Sequence, residues 1–111
     1  MERQMSQLPA VFGALADPTR LAIVERLLRE GECSVGEIAE PLPLTLPAIS
    51  RHIRVLEEAG LLERRIDRQW RRYRVRAQAM QDLDNWMAHY RAFWTASFDR
   101  LERMMEKRRR K

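Results

Sequence analysis

Ser34-Val35-Gly36-Glu37-Ile38-Ala39-Glu40-Pro41-Leu42-Pro43-Leu44-Thr45-Leu46-Pro47-Ala48-Ile49-Ser50-Arg51-His52-Ile53-Arg54-Val55-Leu56-Glu57-Glu58-Ala59-Gly60 is the stretch that decides the fold. Its opening, Ser34-Val35-Gly36-Glu37, fits the S-x-x-E capping box, in which serine and glutamate each satisfy a backbone amide left orphaned at a helix start. The helix it begins sets Val35, Ile38, Ala39 and Leu42 on one face and must stop near Pro41 and Pro43. About three residues later Thr45 offers a second N-cap, and Pro47 is tolerated in the first turn. Ile49, Ile53 and Leu56 then form the buried stripe of a helix that ends at Gly60. Two short helices joined this tightly make a helix-turn-helix, spanning 34–60.

Beyond Gly60 the period changes from helical to alternating. Leu62, Arg64 and Ile66 alternate with Leu61, Glu63 and Arg65, and Tyr73 and Val75 with Arg72, Arg74 and Arg76, on either side of a polar tip, Asp67-Arg68-Gln69. Residues 61–76 therefore predict a β-hairpin, the wing. Upstream, Leu8, Val11, Phe12 and Leu15 recur at helical spacing, predicting a short first helix over 8–16. Asp17-Pro18 starts a second helix, with Leu21, Val24 and Leu28 on its apolar side, Ile23 and Leu27 beside them, and Gly31 to end it. From 77 to 106 the helical period returns, for about 45 Å at 1.5 Å per residue. Met80, Leu83, Met87, Tyr90, Trp94, Leu101 and Met104 take heptad a/d positions, with Ser97 as the break, and Trp86, Phe93, Phe98 and Met105 widen the stripe. Such spacing is that of a packing surface rather than a cofactor box. The rest of the chain, about 75 residues, is too small to bury it. A partner helix from a second subunit is the economical solution, with Leu83, Met87, Tyr90, Trp94 and Leu101 in the seam. The predicted fold is a single domain over 1–111, mainly α with a small β-hairpin: a winged helix-turn-helix with a long C-terminal dimerisation helix.

Composition agrees with one globular domain. The 111 residues are 45% hydrophobic and 33% charged, and no linker, repeat or low-complexity block divides them. No apolar run approaches the roughly 20 residues a bilayer requires, and the first residues lead into no apolar signal segment, so a cytoplasmic protein without a membrane role is expected. A single cysteine, Cys33, excludes an internal disulfide and a Cys-only metal cage. No Gly-rich phosphate loop occurs. Two histidines and no Ser/His/Asp or Cys/His arrangement argue against an enzyme, and no cofactor or metal site is expected.

Charge is distributed unevenly. Residues 1–44 carry −3, residues 45–60 are neutral, residues 61–76 carry +5 and residues 77–111 carry +3, much of it in the terminal run Lys107–Lys111. A local arginine excess next to a helix-turn-helix is the footprint of a surface that meets phosphates. The run at the end reads most simply as a solvated terminus.

The major groove of B-DNA, roughly 12 Å wide, admits one helix. Opposite the buried stripe of the second helix lie Pro47, Ser50, Arg51 and Arg54, with Thr45 and His52 at the border. Arg51 suits bidentate contact with guanine O6 and N7, while Ser50, Thr45 and helix-terminal amides suit phosphate oxygens. The wing arginines Arg65, Arg68, Arg71 and Arg72 are placed to contact backbone or minor groove at the flanks. Trp70 and Tyr73 interleave with them, an arrangement that stacks on bases in single-strand binders but more often packs a hairpin onto its domain.

The sequence resembles the arsenic-type (ArsR/SmtB) bacterial repressors. The matching residues are Ala16-Asp17-Pro18-Thr19-Arg20-Leu21, Pro47-Ala48-Ile49-Ser50-Arg51-His52-Ile53-Arg54-Val55-Leu56, Glu58-Ala59-Gly60-Leu61, Arg64-Arg65 and Tyr73-Arg74-Val75. They occur in the family's order and separations across residues 8–105. It looks most like the stand-alone members whose last helix carries Trp86 and Tyr90-Arg91-Ala92-Phe93-Trp94. The resemblance implies a homodimer joined through the first and last helices, which adds Leu8 and Phe12 to the seam, that binds an inverted-repeat, double-stranded DNA operator near a promoter and represses transcription. Metal-sensing members carry Cys-Val-Cys-Asp before the turn. Here Ser34-Val35-Gly36-Glu37 stands there, and Cys33 falls one place early. The second family metal site needs paired Asp and His on the last helix; Asp82, Asp84 and His89 occur, but no second histidine follows. Arg68 also replaces the glycine common at the wing tip. Two other functions remain open on sequence: a protein-interaction module on the same scaffold, and a metal- or thiol-responsive repressor with an unusual site. The operator and any effector are not written in these motifs.

Overall fold

The computed structural model describes the backbone of residues 2–110 and the side chains of residues 7–110; Lys111, the end of the basic run, lies outside them. In chain order the elements are α1 (Glu2–Leu15), α2 (Pro18–Glu30), β1 (Cys33–Ser34), α3 (Val35–Ala39), α4 (Leu46–Glu58), β2 (Leu62–Asp67), β3 (Trp70–Val75) and α5 (Ala77–Arg110). The strands form one antiparallel sheet in the order β1-β3-β2.

Local chemistry sets the boundaries. The Asp17 carboxylate accepts from the Arg20 backbone N–H at 3.0 Å and Pro18 occupies the first turn of α2. Gly31, at φ +90°, ends α2 and donates its N–H to the Leu27 carbonyl at 2.8 Å. Both arms of the Ser34–Glu37 capping box form, at 3.2 and 3.0 Å. Thr45 Oγ1 accepts from the Ala48 N–H at 3.3 Å to open α4. Gly60, at φ +81°, turns the chain from α4 into β2; a Cβ there would sit 3.2 Å from the Arg76 guanidinium.

The core gathers Val11 and Ala14 of α1, Ile23, Val24 and Leu27 of α2, Ile38 of α3 and Ile49, Ile53 and Leu56 of α4. Leu61, Leu62, Tyr73 and Ala79 close it from the wing and the start of α5. Burial of each Ile or Leu contributes about 1.5–3 kcal/mol, so the three-residue stripe of α4 alone fixes how that helix sits.

Several expectations need correction. In α2, Leu21 and Leu28 are exposed and the buried face is Ile23, Val24 and Leu27. The helix turns Ile23, Val24 and Leu27 inward because that face meets α1, α4 and β3 together. The wing is the larger part of a three-stranded sheet: β1 pairs Cys33 with Tyr73 and Ser34 with Arg72. Two residues are too few for alternation to reveal a strand. α3 stops at Ala39, although Leu42 still packs against the core. α1 begins at Glu2 rather than 8, and α5 runs to Arg110 rather than 106. Ile66 and Trp70 lie at the outer end of the hairpin and are exposed, while Tyr73 is buried, so only one of the two wing aromatics packs the hairpin down.

Candidate nucleic-acid interface

Burying Ile49, Ile53 and Leu56 leaves Thr45, Pro47, Ser50, Arg51 and Arg54 exposed on the opposite side of α4. Leu46, in the first turn, is 57% exposed beside them and was not singled out on sequence. An apolar side chain at that end of the helix suits a thymine methyl group. His52 is turned elsewhere. Its Nδ1 lies 3.4 Å from Arg20 Nη1 and 3.9 Å from Asp17 Oδ2. Arg20 in turn donates from Nε to the Ala14 carbonyl at 2.7 Å. This chain of contacts ties α4 to the C-terminal end of α1 across the start of α2. The Arg20 backbone N–H, then the Arg20 and His52 charges, hold the Asp17 carboxyl below its usual range.

The sheet register divides the wing arginines. Arg65 and Arg72 are cross-strand partners, so they share one face, and Arg74 faces Glu63. Like charges directly opposite repel, and on this face carboxylates relieve them. Arg65 Nη2 meets Glu32 Oε1 at 2.6 Å; Arg72 reaches Glu37 at 3.6 Å and Asp67 at 3.7 Å; Arg74 Nε meets Glu63 at 2.8 Å. The Arg65 hydrogen bond holds the Glu32 carboxyl below its usual range. Hydrogen bonds from the Ser34 backbone and side chain do the same for Glu37, helped by the Arg72 charge. On the other face, Arg64 pairs with Tyr73 and Arg71 lies two residues from it, so both arginines point the way Tyr73 points. Neither forms an ion pair among the described residues, and nor does Arg68. Arg64 was missed on sequence; the alternation that groups it with Leu62 and Ile66 was the available signal. Arg68 sits at the tip with φ +60°, a conformation that costs a non-glycine residue of order 1–2 kcal/mol.

Cys33 is buried against Tyr73, and among the described residues no group of three or more His, Cys, Asp or Glu is disposed to hold a metal ion. On the far side of the molecule the expected seam residues lie along α1 and α5. Leu8 and Trp94 are half-buried and Leu83 packs against the core, whereas Phe12, Met87, Tyr90 and Leu101 are exposed. Phe12 meets Trp86 edge-on at 5.3 Å, and Trp86 meets Tyr90 at 5.2 Å.

Residues 15–65 match a family described as a helix-turn-helix domain. The chain is 42% identical over 82 residues to the arsenic resistance transcriptional regulator ArsR1 of Pseudomonas putida, covering 74% of this chain and 64% of that one. It is 35% identical over 80 residues to the transcriptional repressor SdpR of Bacillus subtilis, covering 72% of this chain and 88% of SdpR. Among solved structures, a homodimeric winged helix-turn-helix DNA-binding domain of Mycobacterium bovis, Mb0332, described as a possible ArsR-family transcriptional regulator, superposes with a TM-score of 0.61 at 28% identity. It covers 82% of this chain and 81% of that one. The chain belongs to the ArsR family of transcriptional regulators. The ArsR regulator described here is a winged helix-turn-helix with a small three-stranded sheet and a long last helix. In this ArsR protein Ser34 and Glu37 cap α3.

Proposed function

We propose that this ArsR-family regulator is a homodimeric, cytoplasmic repressor that places α4 of each subunit in the major groove of an inverted-repeat operator. The observation that carries this reading is the exposed stripe Thr45, Pro47, Ser50, Arg51 and Arg54 backed by a rigid apolar seat and flanked by wing arginines without carboxylate partners. Arg51 reads bases; Arg64, Arg68 and Arg71 hold backbone. The costly backbone conformation of Arg68 supports that role, because strain is retained where a side chain is used. The exposed aromatic seam of α1 and α5, and the homodimer of Mb0332, support the dimer. Cys33, which faces the core, has no part in this mechanism.

Selecting bound duplexes from a random-sequence pool tests the activity and yields the operator. The expected result is one enriched inverted repeat. Removing a bidentate base contact costs about 1–3 kcal/mol and flattens preference. Arg51→Ala should therefore lose discrimination between operator and scrambled DNA while retaining much of its non-specific binding. Weak, equal binding of every duplex by the wild-type protein would instead make the chain a protein-interaction module.

A further inference from the structure

Between α4 and the wing lies a cleft of about 140 Å³ whose floor is Ile53 and Tyr73 and whose rim carries Ser50, Arg54, Arg64 and Arg71. Glu57 is the one acid lining it, which leaves the cleft with two net positive charges. Of the wing arginines, Arg65, Arg72 and Arg74 have carboxylate partners and Arg76 donates to the Gly60 carbonyl at 3.3 Å. Apart from Arg68 at the tip, the two left with neither an ion pair nor a hydrogen bond among the described residues are the two that converge here, on a third unpaired arginine from another element. Three guanidinium groups on one rim against the single Glu57 carboxylate leave a positive excess that a bound anion would offset. The volume is below the roughly 300–1,000 Å³ of small-molecule sites, so a single anionic group fits and a whole effector does not. Ser50 and Arg54 also belong to the exposed stripe of α4, so the cleft opens where a nucleic-acid backbone passes from helix to wing.

We propose that this cleft seats one DNA phosphodiester per subunit, gripped jointly by Arg54 of α4, Arg64 of β2 and Arg71 of β3, and that it fixes the register of α4 in the groove. This inference rests on the DNA-binding reading above. It separates the wing into a gripping pair, Arg64 and Arg71, and a bracing set, Arg65 and Arg72, whose charges are spent on Glu32, Glu37 and Asp67.

The same chemistry would accept inorganic phosphate, so the test uses both. Binding of the selected operator and of a scrambled duplex is titrated across a chloride series for wild type, Arg64→Gln, Arg71→Gln, Arg64→Lys and the controls Arg65→Gln and Arg72→Gln. Melting and sedimentation confirm that each is folded and assembled as wild type is. Each lost contact should lower the salt slope by roughly 0.9, thus about 1.8 per dimer. Between 50 and 200 mM salt that is a loss of affinity about twelvefold smaller than wild type shows. Arg64→Lys should keep most of the slope, and Arg65→Gln and Arg72→Gln should each lower it by less than Arg64→Gln and Arg71→Gln do. At constant ionic strength, replacing chloride by inorganic phosphate should weaken DNA binding by the wild type and not by an Arg64→Gln/Arg71→Gln double variant. Operator preference intact with wild-type slopes in Arg64→Gln and Arg71→Gln overturns the cleft assignment alone. Phosphate that binds, read from the arginine side-chain NH signals, without weakening DNA binding makes the cleft a free-anion site and also overturns it. Absence of any duplex preference in the wild type overturns the DNA-binding reading beneath it.

Discussion

The Cys33 thiol lies in the core opposite Tyr73 and donates to Glu30 Oε2 at 3.2 Å; burial first, and the carboxylate second, push its pKa up to about 11. At neutral pH the group is a thiol, and the thiol is neither a good nucleophile nor a good metal ligand. Iodoacetamide at pH 8 is therefore expected to leave Cys33 unmodified in the native protein, with labelling appearing only as denaturant unfolds it. Equimolar arsenite, cadmium or zinc should leave operator binding unchanged. Rapid native labelling, or chelator-reversible release from DNA that Cys33→Ser abolishes, would show that the thiol opens to solvent. His52 teaches a similar lesson. Placed by sequence beside the DNA-facing stripe, its ring is turned to Arg20 and Asp17, where it braces the helix rather than extending its surface.

At the scale of elements, the wing is a hairpin braced on one face and open on the other. The brace consists of ion pairs to residues outside the hairpin, Glu32 before β1 and Glu37 on α3, which clamp the wing to the corner from which the helix-turn-helix begins. Glu32 and Glu37 both have carboxyls held below the usual range in the folded protein. A carboxylate with a depressed folded-state pKa adds stability that is complete above its unfolded value, about 4.3, and is lost as pH falls through the lower folded value. Melting temperature is thus expected to fall on acidification below about pH 4.3, and Glu32→Gln should flatten part of that dependence while lowering stability modestly at pH 7. Glu32 is half-buried and Glu37 exposed, so solvent screens both pairs and the effect per pair is small. A pH profile identical in Glu32→Gln and wild type between pH 5 and pH 3 would mean that the pair does not brace the wing.

Taken whole, the molecule measures 67 × 35 × 20 Å, and the long dimension is set by the 34 residues of α5. Only the start of that helix is anchored in its own core, through Ala79, Met80 and Leu83. Farther on, Phe93 is 74% exposed, and Phe98, Leu101, Met104 and Met105 follow it into solvent. An apolar face of that extent is one that a second copy covers in the proposed dimer. Met87 tests it better than Leu83, because Leu83 also packs on its own subunit. Met87→Asp should place a charge in the apolar seam and leave the winged core folded. The expected result by sedimentation is a folded monomer at micromolar concentration, with operator affinity reduced because the two half-sites are no longer bound together. A Met87→Asp protein that remains a dimer would move the seam to another face of α5.

The features legible in the order of residues are those whose cause is local. The Asp17, Ser34 and Thr45 caps, the Gly31 stop, the stripe Ile49-Ile53-Leu56 and the alternation on both sides of the wing tip each depend on neighbours within a few residues. All were readable without coordinates. The tertiary structure decided what depends on residues far apart in the chain. β1 exists because β3 offers it an edge, the buried face of α2 was chosen by α1, α4 and β3 together, and His52 was turned inward by an arginine 32 positions earlier. It also decided which arginines are free. Seven arginines between 64 and 76 look alike as a charge run, yet the register sets them on opposite faces, and only on one of those faces do they form ion pairs with carboxylates from elsewhere in the fold.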